Sequence, residues 1–346
     1  MNVSGIEAPV TSAPLPDLLT FNDGHPVKTP ADWGKRRQEV ADAILELEYG
    51  KFPPTPPGAT SIDFASDSIP RTGLPDGSHF RTSLVSVKDN VRSVSFHMDL
   101  FLPPGEGPFP VLLYGDGCWF CITDAIRKDI IDRGYVLAVF NRNEMARDKP
   151  NRRDCGIWDL YPGGDFSTLA VWAWCYHRAV DALVQLPFVN AKKIAITGHS
   201  RGGKTVLLAA ATDERIAAVG ANNSGCGGAG CYRILGRDCE TLQAITKQFP
   251  HWFNPAICDY IGRETELPFD QHFLKALVAP RAYWEGTALE DIWSNPPGSV
   301  ATFEAAREIY RLLGAEDKCA FETREGNHAH SAVSFHQFLD FLGKVF

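Results

Sequence analysis

An α/β fold built on a doubly wound, mostly parallel sheet is the architecture this sequence predicts, on three observations. From Pro110 onward, short apolar runs alternate with longer helical ones in the rhythm strand, helix, strand. Before that, between Ser61 and Leu102, apolar and polar residues alternate as in short antiparallel strands at a sheet edge. Thirdly, Lys193 to Lys204 reads as a buried strand (Ile194, Ile196), a sharp turn and the start of a strong helix former ending at Ala211.

Taken in order, residues 1–30 are Pro-rich and weakly patterned, which predicts an extended arm lying on a single domain of residues 31–346. Thr29 is placed to cap a helix, and Pro30 to open it, since proline lacks the N–H that would go unused there. That helix runs through Arg36 to Tyr49 and stops at Gly50; Pro53 to Gly58 form a loop. Later strands are expected at 111–114, 136–140, 194–197, 217–221, 281–285 and 319–323. Helices are expected at 124–133, 167–186, 273–277, 301–313 and 334–345, the last with a one-sided stripe of Phe335, Phe338, Leu339 and Leu342. Between Ser224 and about Leu267 lies a long insertion rich in glycine, cysteine and aromatics. No repeat and no linker divides the chain, and the whole follows the α/β-hydrolase plan with helices on both faces of the sheet.

The turn between strand and helix is G-x-S-x-G, with Gly198 and Gly202 about Ser200. In that context the pentapeptide makes a nucleophile elbow, whose strained turn leaves no room for flanking side chains. It lifts a serine hydroxyl to a helix N-terminus that favours developing negative charge. Serine needs a histidine base held by a carboxylate, and in this fold the chain order is serine, acid, histidine. The loop behind the last strand carries His328 and His330, either of which could be the base. Beyond the penultimate strand, Glu290 and Asp291 both qualify as the acid. On an extended loop adjacent side chains point in opposite directions, so one of the pair should face the histidine, and Trp293 should share the Asp291 side.

Several runs together resemble one family. Gly198 to Lys204 is similar to the G-[CH]-S-R-x-G-K signature of glucuronoyl esterases, carbohydrate esterase family fifteen. The runs 223–229, 249–253, 267–273, 290–293 and 324–328 also fit, so the resemblance spans roughly residues 30 to 346. It implies hydrolysis of the ester joining a 4-O-methyl-glucuronoyl group on xylan to a lignin alcohol, with a glucuronate ester or glucuronoxylan as substrate. By the same resemblance Ser200 is the nucleophile, His328 the base and Arg201 a cationic partner of the oxyanion. Lys204, Glu240 and Trp293 would contact the sugar. Two departures mark a bacterial-type member. Asn223 stands where many fungal members carry a glutamate acid, which favours Asp291, and His199 replaces a fungal disulfide cysteine. The same triad could serve an acetyl-xylan or general carbohydrate esterase, and a decayed, carbohydrate-binding hydrolase is the non-enzymatic rival.

Composition bounds the rest. A net charge of −8 argues against nucleic acid or anionic membrane as a partner. Apolar runs fall short of the ~18 residues that span a bilayer. The first residues lack the basic and apolar regions of a signal peptide, so this numbering reads as cytoplasmic, or as secreted or periplasmic if a leader was removed. Nine cysteines at scattered spacings do not form a disulfide framework; the pair Cys118 and Cys121 is spaced like a redox motif, but the chain is several times the size of such a domain and no second C-x-x-C completes a zinc site. No metal or organic cofactor is implied.

Overall fold

Continuous apolar runs, rather than alternating ones, put five strands in the middle of the sheet, because a strand covered by helices on both faces must be apolar on both. The computed structural model describes residues 4–56, 58, 60–65, 69–70, 73–150 and 153–346. Expectations touching residues 1–3, 57, 66–68 and 71–72 lie outside the described residues at those positions. The strands are β1 (Ser61–Phe64), β2 (Ile69–Pro70), β3 (His79–Lys88), β4 (Ser93–Leu102), β5 (Phe109–Asp116), β6 (Val136–Asn141), β7 (Val189–His199), β8 (Ala218–Asn222), β9 (Ala282–Ala288) and β10 (Cys319–Arg324). They form one sheet in the order β1-β3-β4-β6-β5-β7-β8-β9-β10, with β2 beside β3. The β1–β4 edge is antiparallel and joins β6 antiparallel; from β6 through β10 every pairing is parallel.

The helices are α1 (Pro30–Ile44), α2 (Asp124–Asp132), α3 (Ile157–Leu160), α4 (Thr168–Leu183), α5 (Arg201–Thr212), α6 (Leu242–Gln248), α7 (His272–Ala276), α8 (Pro296–Leu312) and α9 (Ala332–Val345). Helices α2 and α9 bury Ile126, Ile130, Phe335 and Phe338 against one sheet face. On the opposite face α1, α4, α5, α7 and α8 join the larger core. Thr29 caps α1 in a reciprocal pair with Asp32, and Pro30 opens it; the last turn widens into a π-helix, Leu45–Tyr49, ended by Gly50 at φ 75°. Helix α8 begins five residues before its expected start. Asn295 accepts from the Gly298 N–H and Pro296 occupies the first turn, so the prolines there open a helix rather than interrupt a loop.

The N-terminal segment lies on this body. Val10 N–H donates to the Leu235 carbonyl (2.8 Å) and Leu235 N–H to that of Thr11 (2.9 Å), while Leu18 and Val27 are buried. The insertion folds above the C-terminal ends of the strands as α6 and a series of 3₁₀ turns, anchored by buried Trp252, Phe253, Ile257 and Phe269. A polar network ties it to the body: Arg233 donates to the Phe269 carbonyl (2.6 Å) and Asp270 (3.2 Å), and the Tyr232 hydroxyl donates to Glu48 (2.8 Å). Burial holds the Glu48 carboxyl up at about 7. All nine cysteines are free. Burial raises the Cys118 thiol and pushes Cys121 up to about 11, the reverse of a reactive redox pair. No helix among the described residues is long and apolar enough to cross a membrane.

Candidate active site

Strand β7 ends at His199, and the chain reverses at Ser200 with φ 57° and ψ −122° before α5 begins at Arg201. A non-glycine residue in this region is strained and persists where its surroundings hold it; here the Ser200 N–H donates to the Asn222 carbonyl at 3.0 Å. The glycine expectation needs one correction. A Cβ on Gly198 would lie 2.4 Å from the Gly202 carbonyl oxygen, and one on Gly203 would lie 3.1 Å from Ser224, but one on Gly202 would meet nothing nearer than 3.5 Å. Close approach of the helix to β7 and β8 therefore demands Gly198 and Gly203, not Gly202.

Ser200, Arg201, Lys204, Glu240, Trp293 and His328 line one cavity of about 150 Å³. Behind it, His328 Nδ1 bonds Asp291 Oδ2 at 2.7 Å, leaving Nε2 as the ring's other polar atom. The same carboxylate oxygen accepts from Asn223 Nδ2 at 2.5 Å. Burial alone would raise the Asp291 pKa, but the hydrogen bonds from His328 and Asn223 outweigh it and hold it below the usual range. Glu290 points into solvent, whereas Asp291 is buried. The segment is not the extended loop expected, in which Trp293 would share the Asp291 side by simple alternation; it is a 3₁₀ turn, Ile292–Ser294, that starts behind Asp291. Trp293 reaches the cavity from that turn, 46% exposed. His330 faces the core: it stacks on Phe335 at 3.9 Å, lies 3.3 Å from the Tyr114 hydroxyl, and burial depresses its pKa to about 3. Of the two candidate bases, only His328 meets the carboxylate and the cavity.

Arg201 is held from the other side. One terminal nitrogen of its guanidinium pairs with Asp148 Oδ2 (2.5 Å), and the group lies over Trp252 (4.8 Å) and Phe249 (5.0 Å). Asp148 also accepts from Trp252 Nε1 (2.7 Å) and bonds His251 Nε2 (2.9 Å). Burial opposes the charge on Asp148, but these donors prevail and hold its pKa down at about 2. Lys204 and Glu240 are both buried; the ammonium donates to the Ser224 carbonyl and stands 3.7 Å from Glu240. Burial raises the Glu240 pKa against the pull of Lys204.

Sequence reasoning assigned no role to Asp148, Trp119, Gln248, Phe249 or Trp252. Trp119 sits within the Cys118–Cys121 run and packs edge-on against His328 (5.7 Å) and His199 (5.1 Å). Phe249 and Trp252 were visible as part of a family-like run, and they stack at 3.8 Å beside Arg201. For Asp148 no local signal existed, because its partners lie 53 and about 100 residues away.

A strained serine at a strand-to-helix turn, a histidine hydrogen-bonded to a buried carboxylate, and a cavity beside them form a site of the kind carried by the α/β-hydrolase class. The model for fungal glucuronyl esterases matches residues 85–314. The chain belongs to the glucuronoyl esterase family. It is 32% identical over 336 residues to 4-O-methyl-glucuronoyl methylesterase 1 of Phanerochaete chrysosporium, covering 93% of this chain and 66% of that protein, so it spans slightly under two thirds of that relative's length. The carbohydrate esterase family 15 glucuronoyl esterase from Caldicellulosiruptor kristjansonii is similar with a TM-score of 0.81 at 30% identity, over 96% of this chain and 90% of that one. A mutant glucuronoyl esterase from Sporotrichum thermophile, in complex with methyl 4-O-methyl-β-D-glucopyranuronate, gives a TM-score of 0.79 at 27% identity, over 99% and 90% of the two chains.

Proposed function

We propose that this chain hydrolyses esters of 4-O-methyl-glucuronic acid, as in lignin–xylan linkages, through an acyl-enzyme on Ser200. Residues 31–346 act as one catalytic domain and residues 1–30 as an arm upon it. The single observation that carries the roles is the Asp291–His328 hydrogen bond at 2.7 Å beside the cavity that Ser200 lines.

The Ser200 hydroxyl attacks the ester carbonyl carbon as His328 Nε2 takes its proton, and the carbonyl π pair moves onto oxygen. Arg201, fixed by Asp148, stabilises that oxyanion; a preset cation in a site shielded from water does so strongly. Collapse expels the alcohol, which takes the proton from His328. Water then attacks the acyl carbon, gives its proton to His328, and the uronic acid leaves as the proton returns to Ser200. Asp291 stays ionised throughout and steadies the imidazolium. Lys204 and Glu240 hydrogen-bond sugar hydroxyls, and the half-exposed Trp293 offers an apolar face. A buried amine and carboxylate side by side suit a polar ring better than an acetyl group.

The test is a two-substrate assay. Benzyl glucuronate should be cleaved at least ~10-fold more efficiently than an aryl acetate, a gap of ~1.4 kcal/mol. Ser200→Ala should lose on the order of 10⁴-fold or more in turnover on both. Reversal of the substrate order would move the protein to the acetyl-esterase reading, and an active Ser200→Ala would remove Ser200 from the chemistry.

A further inference from the structure

Two consecutive asparagines at the end of β8, Asn222 and Asn223, bond the proposed nucleophile, the proposed acid and the residue that follows the proposed base. Asn222 is fully buried, and its backbone carbonyl accepts the Ser200 N–H at 3.0 Å. Its Nδ2 donates twice, to His199 Nδ1 at 2.9 Å and to the Ala329 carbonyl at 3.0 Å. One amide thus ties the residue before the nucleophile to the residue after the base. Asn223 turns the opposite way, its backbone at φ 45°, and its Nδ2 donates to the Asp291 oxygen that also holds His328. Asn223 N–H bonds the Gly286 carbonyl of β9 at 2.8 Å, which fixes the turn.

The amide carbonyl oxygens of both residues are buried with no hydrogen-bond partner among the described residues. Both side chains are used here as donors only. Asparagine also tolerates the left-handed backbone that Asn223 adopts.

We propose that the Asn222–Asn223 pair is the positioning element of this site, setting nucleophile, base and acid in register through amide N–H groups that neither aspartate nor an aliphatic residue can supply. The inference rests on the roles proposed for Ser200, His328 and Asp291. Asn223, seen from sequence alone as an acid position left empty, is in this account the group that orients the acid.

The experiment uses the full chain. Asn222→Asp keeps shape but removes the donor. Measured on the alkaline plateau, it should lower kcat at least ~10-fold with KM within about twofold. Reaction of Ser200 with a fluorophosphonate should slow by the same factor. Asn223→Gly accepts the positive φ and deletes only the side chain. With one donor gone, the Asp291 charge attracts the His328 imidazolium more strongly, so the acid limb of kcat/KM should move to higher pH. The charged or titratable groups around His328 are Asp291, Glu240, Arg201, Lys204, His199 and Arg324; Asn223→Gly substitutes none of them. Folding is verified by thermal melting, and if Asn222→Asp does not fold, Asn223→Gly carries the test alone. A folded Asn222→Asp labelled at the wild-type rate, or an unmoved acid limb in Asn223→Gly, overturns the proposal. Activity surviving in Ser200→Ala would overturn the site reading itself, independently of the asparagines.

Discussion

Two carboxylates flank Ser200 and each grips a nitrogen base, yet they are built differently. Asp291 receives His328 and Asn223 on a single oxygen and sits on a tight 3₁₀ turn. Asp148 spreads three donors over both oxygens, and its partner Arg201 is a permanent cation within an aromatic enclosure. The first partner can exchange a proton; the second cannot. In the proposed mechanism one side of the serine serves proton transfer and the other a fixed field, and both carboxylates are kept ionised against the cost of burial by their hydrogen bonds.

Breaking the proton-transfer side should have the largest effect. Asp291→Asn should reduce kcat by about 10⁴-fold, as loss of a triad aspartate does, while Glu290→Gln, in solvent, should stay within about twofold. Steady-state kinetics on a glucuronate ester measures both, and a dead Glu290→Gln beside a healthy Asp291→Asn would reverse the assignment.

On the fixed-field side the expected losses are smaller. Arg201→Lys keeps the charge but not the planar fork, and should lower kcat by about 10²-fold with little change in KM. A change confined to KM would make Arg201 a ground-state contact instead. Asp148→Asn leaves the arginine in place without its counter-ion, and about a 10-fold fall in kcat is expected from the loosened orientation.

The smallest effect sharpens the comparison through stability. The Asp148 pKa is depressed from 3.8 to about 2 in the folded chain. Its contribution is therefore complete above the unfolded value and disappears as pH falls from about 4 toward 2. That contribution is on the order of 2 kcal/mol. Thermal melts of wild type should lose stability across that window, and Asp148→Asn should show a shallower loss; parallel curves would contradict the linkage.

The pattern of residues along the chain determined the sheet, its antiparallel edge and the strand-to-helix turn at Ser200. Periodicity, capping chemistry and turn residues act over a few positions, so a local reading can find them. The family-like runs carried the reading further, to Arg201, Lys204, Glu240 and Trp293. What the sequence left open were choices between near neighbours: His328 or His330, Glu290 or Asp291. Tertiary packing decided them, burying His330 on Phe335 and turning Asp291 inward by a 3₁₀ turn where an extended loop was expected. Asp148, Trp119 and the donor role of Asn222 and Asn223 were hidden for the same reason. A contact depends on where two groups meet in space, and these meet across 23 to 209 residues of chain; no spacing along the sequence encodes that meeting.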